Sequence, residues 1–221
     1  MAGVALGTAV LAGFFLRRPV KLLLGSADPR RSLAFVCMVV LSAVGLSCLL
    51  LAATLTASAQ LWPLLFAVPP SAAFVWFESR GESRVAAAEL AGAIAFSVIP
   101  AALASLAGWR PAAALALAVI MAGRFLPTVM TIRAYLRRNK GQAVSAGPAL
   151  AASTAAVMVA VLLACAGLAP WTATAVMVLL LVRTWVLLGP LQPRAAASRV
   201  GVAESILGGI LVIVLALSWN R

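Results

Sequence analysis

The amino-acid sequence predicts an all-α fold: a polytopic membrane protein of about eight transmembrane helices. Three observations predict it. Of the 221 residues, 64% are hydrophobic and 10% are charged, against ~45–50% apolar and ~25% charged in a soluble domain. Apolar runs follow one another with short polar breaks and reach the ~17–25 residues a helix needs to cross hydrocarbon. The runs lack the alternating pattern that a transmembrane strand shows over ~10 residues. Helices are what remains, because lipid offers the backbone no hydrogen bonds and a helix satisfies its own.

Eight spans are drawn: Ala2–Leu16, Leu33–Thr56, Leu61–Phe77, Val85–Ala107, Pro111–Pro127, Ala146–Leu168, Trp171–Leu188 and Val200–Trp219. The first has its charges, Arg17 and Arg18, after the apolar stretch. That is the reverse of a secretory signal and reads as a first membrane helix. Between spans, long basic loops (Arg17–Ser32, Glu78–Arg84, Thr128–Ser145 and Gly189–Arg199) alternate with short neutral ones around Ser58, Gly108 and Ala169. Of 17 Lys and Arg residues, Arg110 and Arg221 alone fall on the short-loop side and the other 15 lie in or beside the long loops. Positive residues collect on the cytoplasmic side. The long loops are therefore expected in the cytoplasm and both termini outside, as in a bacterial inner-membrane protein. Trp62, Trp109, Trp171 and Trp219 mark outer helix ends and Trp76 and Trp185 inner ends, as an aromatic belt requires. Pro69, Pro70 and Pro100 fall within spans, where each removes a backbone donor and shapes packing or lines a cavity.

Composition also excludes functions. The net charge of +12 resembles that of a nucleic-acid binder, but the basic residues sit in breaks between membrane spans, so no nucleic-acid partner is expected. Cys37, Cys48 and Cys165 lie in apolar runs without a C-x-x-C pair and read as small hydrophobes. There is no histidine, which removes histidine bases and histidine-ligated haem. Asp28 is the only aspartate, so no Asp-rich magnesium site can form. No Walker motif, nucleophile elbow or H-E-x-x-H occurs. Neither a cofactor nor a metal is expected.

The chain reads as one integral membrane domain, 1–221, with an internal echo. Ser83-Arg84-Val85-Ala86-Ala87-Ala88-Glu89 opens the fourth span and Ser198-Arg199-Val200-Gly201-Val202-Ala203-Glu204 the eighth. More weakly, Ala12-Gly13-Phe14-Phe15-Leu16 matches Ala122-Gly123-Arg124-Phe125-Leu126. Two parallel four-helix repeats, 1–109 and 110–221, would leave this pattern, and so would coincidence in Ala- and Leu-rich sequence.

Four charges are placed inside the hydrocarbon or at its edge, each about one turn from its helix's cytoplasmic end: Glu89, Arg124, Arg183 and Glu204. An intramembrane charge costs roughly 2.5–3.5 kcal/mol on insertion scales, so all four are expected to face the bundle interior and surround one polar cavity. Arg84 and Glu89, like Arg199 and Glu204, are five residues apart, about 140° around a helix. Each acid therefore needs a partner on another helix, and Arg124 and Arg183 are the candidates. The cluster either locks the bundle as ion pairs or holds an anionic head group, whose phosphate a guanidinium fork matches. Arg133 to Gly141 is either a short interfacial helix, with Arg133 and Arg137 on one face, or a plain positive-inside anchor.

Several stretches carry a resemblance. Phe15-Leu16-Arg17-Arg18-Pro19-Val20-Lys21, Ala88-Glu89-Leu90-Ala91-Gly92-Ala93, Arg124-Phe125-Leu126-Pro127, Gly167-Leu168-Ala169-Pro170-Trp171 and Arg199-Val200-Gly201-Val202-Ala203-Glu204 resemble YwiC-like bacterial membrane proteins over nearly the whole chain. The resemblance implies no particular activity. Those proteins usually begin with a P-x-E-H-G-x-W segment and one more helix, whereas this chain starts at what would be the second. A looser likeness is to UbiA-like prenyltransferases, whose bundle has cytoplasmic active-site loops after its second and sixth helices. One helix before Ala2 would give the same count and orientation, but the loops at Arg17 and Arg133 are basic where those enzymes are Asp-rich. Fold analogy alone carries no function.

Three functions compete. The first is binding or processing of a membrane lipid or isoprenoid with an anionic head group at the cytoplasmic face. The second is a small-molecule transporter of two four-helix repeats, with a polar site near mid-membrane. The third is a non-catalytic assembly partner of a membrane complex.

Overall fold

A computed structural model describes residues 1–24, 31–56, 58–82, 85–189 and 196–219. The described residues are helical and contain no strand. The helices are α1 (Ala2–Leu24), α2 (Arg31–Leu55), α3 (Val68–Ser79), α4 (Ala86–Ser97), α5 (Ile99–Leu106), α6 (Pro111–Asn139), α7 (Gly147–Cys165), α8 (Trp171–Leu188) and α9 (Ala197–Ser218), with a 3-10 segment, Ser58–Ala67, before α3. The 3-10 segment with α3 forms the third span and α4 with α5 the fourth. Among the described residues, eight segments are then long and apolar enough to cross a membrane. The expectation of a multi-pass all-α membrane protein holds.

The prolines explain where spans break and where they do not. Pro69 and Pro70 open α3, and Pro100 opens α5, where a first-turn residue has no intrahelical bond to lose. They are junctions within spans rather than mid-helix kinks. Pro127 lies buried inside α6 and Pro19 inside α1, and both helices run on past them.

Two expected boundaries are corrected. α1 continues from Leu16 to Leu24, and α6 continues from Pro127 to Asn139, absorbing most of the third basic loop. Arg133 and Arg137 thus belong to one long helix, not to a separate interfacial one. The 29 residues of α6 span about 43 Å, against ~30 Å of hydrocarbon. Its last turns project beyond the basic face, where Lys and Arg are good helix formers.

Packing is uneven. α6 is central and touches α4, α5, α7 and α8, and α7 packs on both α6 and α8. α2 packs along α1 and barely meets the 3-10 segment. Sequential span order is shared by the two halves, but this packing is not. Small residues allow the close approaches, since helices in lipid associate through packing of small side chains. Ala101, Ala114, Ala160 and Ala173 are fully buried, and Gly123 lies against Ala156.

The interior divides by depth. An apolar cluster toward the short-loop side joins Ile120 and Met121 of α6, Met177 and Leu180 of α8, and Leu211 and Leu215 of α9. A second, nearer the basic face, joins Ala134 and Tyr135 of α6, Ala149 of α7, Leu188 of α8 and Val200 of α9. The charged site lies between them.

Candidate functional site

Arg183, Glu204 and Arg124 come from three helices and meet because they lie at one depth. Arg183 follows the short-loop end of α8 at Trp171 by twelve residues, Arg124 follows that of α6 at Pro111 by thirteen, and Glu204 precedes that of α9 at Ser218 by fourteen. These separations are about 18, 20 and 21 Å. The group therefore sits deeper than the one turn expected, between one and two turns from the basic-loop ends of α8 and α9.

Arg183 is the centre. Its Nη1 donates to Oε2 of Glu204 at 3.0 Å and to Oγ1 of Thr128 at 3.3 Å. The Thr128 hydroxyl donates in turn to the Arg124 carbonyl at 2.7 Å. The Arg183 side chain is 13% exposed and that of Glu204 21%. Nε and Nη2 of Arg183 are buried and have no hydrogen-bond partner among the described residues. Those two atoms form one edge of the guanidinium, a two-donor fork that fits two oxygens of a carboxylate or phosphate.

Arg124 stands beside this pair, within electrostatic reach of both Glu204 and Arg183. Its guanidinium lies 5.0 Å from the Phe125 ring centroid and fills the space a Cβ on residue 208 of α9 would take. Gly208 makes that approach possible. The three side chains carry two positive charges and one negative, a balance that suits one further anion.

Glu89 is elsewhere, and this corrects two expectations. It pairs with Arg133 of α6 at 2.8 Å, not with Arg124 or Arg183. Arg133 lies nine residues beyond Arg124, about 180° around the helix, so the two arginines serve opposite faces of α6. The Glu89 side chain is 37% exposed and that of Arg133 24%, a pair at the rim. The four charges do not converge on one cavity, because the acids that match in sequence sit at different depths and meet different partners. Arg137 and Arg199 are exposed at the basic end. Arg84 lies outside the described residues.

Sequence reasoning missed several partners. Thr128, Thr131 and Tyr135 share the Arg124 face of α6, and the hydroxyls of Thr131 and Ser153 each lie 3.2 Å from that of Thr184. This buried polar node ties α6, α7 and α8 just inside the charged site. Hydroxyls recurring at helical spacing near Arg124 and Arg183 were the available signal. Glu78 was assigned to a loop. It ends α3 and holds Arg17 at 3.0 Å and Lys21 at 3.9 Å, tying α1 to α3. Arg138 was expected only as a charge, yet it donates to the carbonyls of Val144 and Leu188 and so caps the end of α8.

Comparison with known proteins adds one finding. No curated protein and no solved structure matches the chain, so the UbiA-like arrangement gains no support. A family model, that of the YwiC-like protein, matches residues 1–104. Glu89 lies inside that segment and the Arg183 group outside it. Residues 1–104 are thus similar to the YwiC-like family, the resemblance that the motifs around Arg17 and Glu89 carry.

Proposed function

We propose that this membrane protein binds a lipid or isoprenoid with an anionic head group at Arg183, with Arg124 alongside, in the half of the membrane nearer its basic loops. One observation carries the reading: the buried Nε–Nη2 edge of Arg183 has no partner among the described residues. Leaving charged donors unpaired away from water costs more than an ordinary hydrogen bond returns, and a phosphate or carboxylate would satisfy both at once. Exposed Arg137 and Arg199 would draw anionic lipid toward the same face. Arg183→Lys keeps the charge and the Glu204 pair but removes the fork. It is expected to lose a co-purifying anionic lipid by about tenfold, the equivalent of one charge-assisted hydrogen bond, since the lysine ammonium can still supply a donor in place of the other. Mass spectrometry of lipids extracted from the two purified proteins checks this, and equal lipid content would overturn the reading.

A transporter of a small anion is the second reading. It is favoured by the depth of the site and by apolar layers on both sides of it, as in an occluded site near mid-membrane.

The proposed orientation places the long basic loops in the cytoplasm of a bacterial cell and both termini outside. It rests on the 15-to-2 division of basic residues. Single cysteines at Ala107 and Gln142, in a background lacking Cys37, Cys48 and Cys165, should be labelled from outside intact cells at Ala107 and not at Gln142. These positions are preferable to Gly108 and Gly141, whose φ values of +80° and +76° disfavour any side chain. The opposite labelling pattern would invert the orientation.

A further inference from the structure

We infer that the ligand reaches Arg183 sideways, from the bilayer through the seam between α6 and α9, and is a membrane lipid with a compact head of the phosphate-monoester kind. This rests on the reading of Arg183 as an anion site and adds the route and the size of the head. The two ends of the site are closed by packing. Toward the basic face, Tyr135, Leu188 and Val200 form one apolar layer. Toward the outer face, Met121, Leu180 and Leu211 form another. A soluble anion from either aqueous side would have to cross one of these layers.

The side is different. α9 packs on α8 and is pinned at its outer end by Trp219 against Trp109, with ring centroids 5.3 Å apart, and by the Thr172 hydroxyl donating to that of Ser218 at 2.6 Å. Between Val200 and Leu211 its backbone meets that of α6 only loosely, and the Arg124 side chain spans the space to Gly208. Gly201, seven residues before Gly208, shares its face of α9, and a Cβ there would meet open space. A lipid tail can therefore stay in the bilayer while its head turns inward between the helices. Along α8, Leu180 to Leu188 is about 12 Å, and Arg183 and Thr184 take part of it. With Arg183, Thr184 and Arg124 occupying part of that height, the site favours a compact phosphate over one that bears a sugar.

The test uses the whole protein in nanodiscs of phosphatidylcholine doped with phosphatidic acid that carries a photoreactive group high in its acyl chain. The expected result is adducts on α9 between residues 201 and 209 or on the facing turns of α6, reduced about tenfold by Arg183→Lys. A large excess of inorganic phosphate should not compete, and a matched phosphatidylinositol probe should leave the seam unlabelled. Adducts that depend on Arg183 but map to the loop at residues 140–146, or that inorganic phosphate removes, would overturn sideways access while leaving the anion site standing. Seam labelling by phosphatidylinositol would overturn the compact head. Seam labelling unchanged in Arg183→Lys would overturn the anion site itself.

Discussion

Replacing Glu204 with glutamine should destabilise the protein by about 3 kcal/mol, within the range for removing one partner of a buried ion pair. The carboxylate is the counter-ion of Arg183 and lies within reach of Arg124. Without it, two guanidinium groups face each other in a medium that screens poorly. Glu89→Gln removes the corresponding acid of the other pair, but that pair is more exposed on both sides, and the loss should stay below about 1 kcal/mol. Thermal unfolding of the two variants in one detergent checks the contrast. Adding phosphatidic acid then separates the two roles open to the cluster. A bound anionic head group should restore most of the Glu204→Gln loss, because it replaces the missing negative charge, while a bundle lock should be indifferent to it. Glu204 would then be a competitor for the lipid as well as a structural partner, holding Nη1 of Arg183 while the lipid takes the other edge.

Much of the fold was legible because lipid imposes simple rules. Span number followed from apolar run length, and the span Trp171–Leu188 agrees at both ends. What escaped was where a helix stops once it leaves hydrocarbon. Arg133, Arg137 and Arg138 signal the edge of the apolar zone, yet the same residues favour continued helix, so α6 ends twelve residues later than Pro127 implied. Polarity marks the membrane boundary, not the helix boundary.

The site was legible in its members and not in its pairing. That Arg183 and Glu204 avoid lipid follows from the cost of an intramembrane charge, and the structure pairs them. The assignment of Glu89 to the same group rested on that same cost and on its place about one turn from the basic end of its helix. Depth decides otherwise. Glu89 precedes the outer end of its span at Leu106 by seventeen residues, about 26 Å, and so meets Arg133 near the rim instead of Arg124. Gly208 could not be singled out from one sequence, since a glycine in an apolar run acquires meaning only from what lies across the helix interface.

Close packing of α6 on α7 sets the second large effect. Gly123 precedes Arg124, and a Cβ built on it would stand 3.2 Å from Cβ of Ala156. Gly123→Ala therefore asks α7 to give by a few tenths of an ångström, a small cost set against the ~1 kcal/mol by which alanine favours a helix over glycine. The two terms nearly cancel, and the melting temperature should move little. Gly123→Leu has no such escape. Its Cβ already presses on Ala156, and its branches would crowd Met177 in the shallow groove beside it; overpacking of this kind costs about 1–3 kcal/mol. Because Arg124 and Thr128 follow on the same helix, α6 moving away from α7 would also shift the guanidinium from Gly208. Gly123→Leu should thus lower both thermal stability and lipid retention, whereas Gly123→Ala should leave both near the parent value. Equal melting temperatures for the two variants would mean that α6 and α7 do not meet at this glycine.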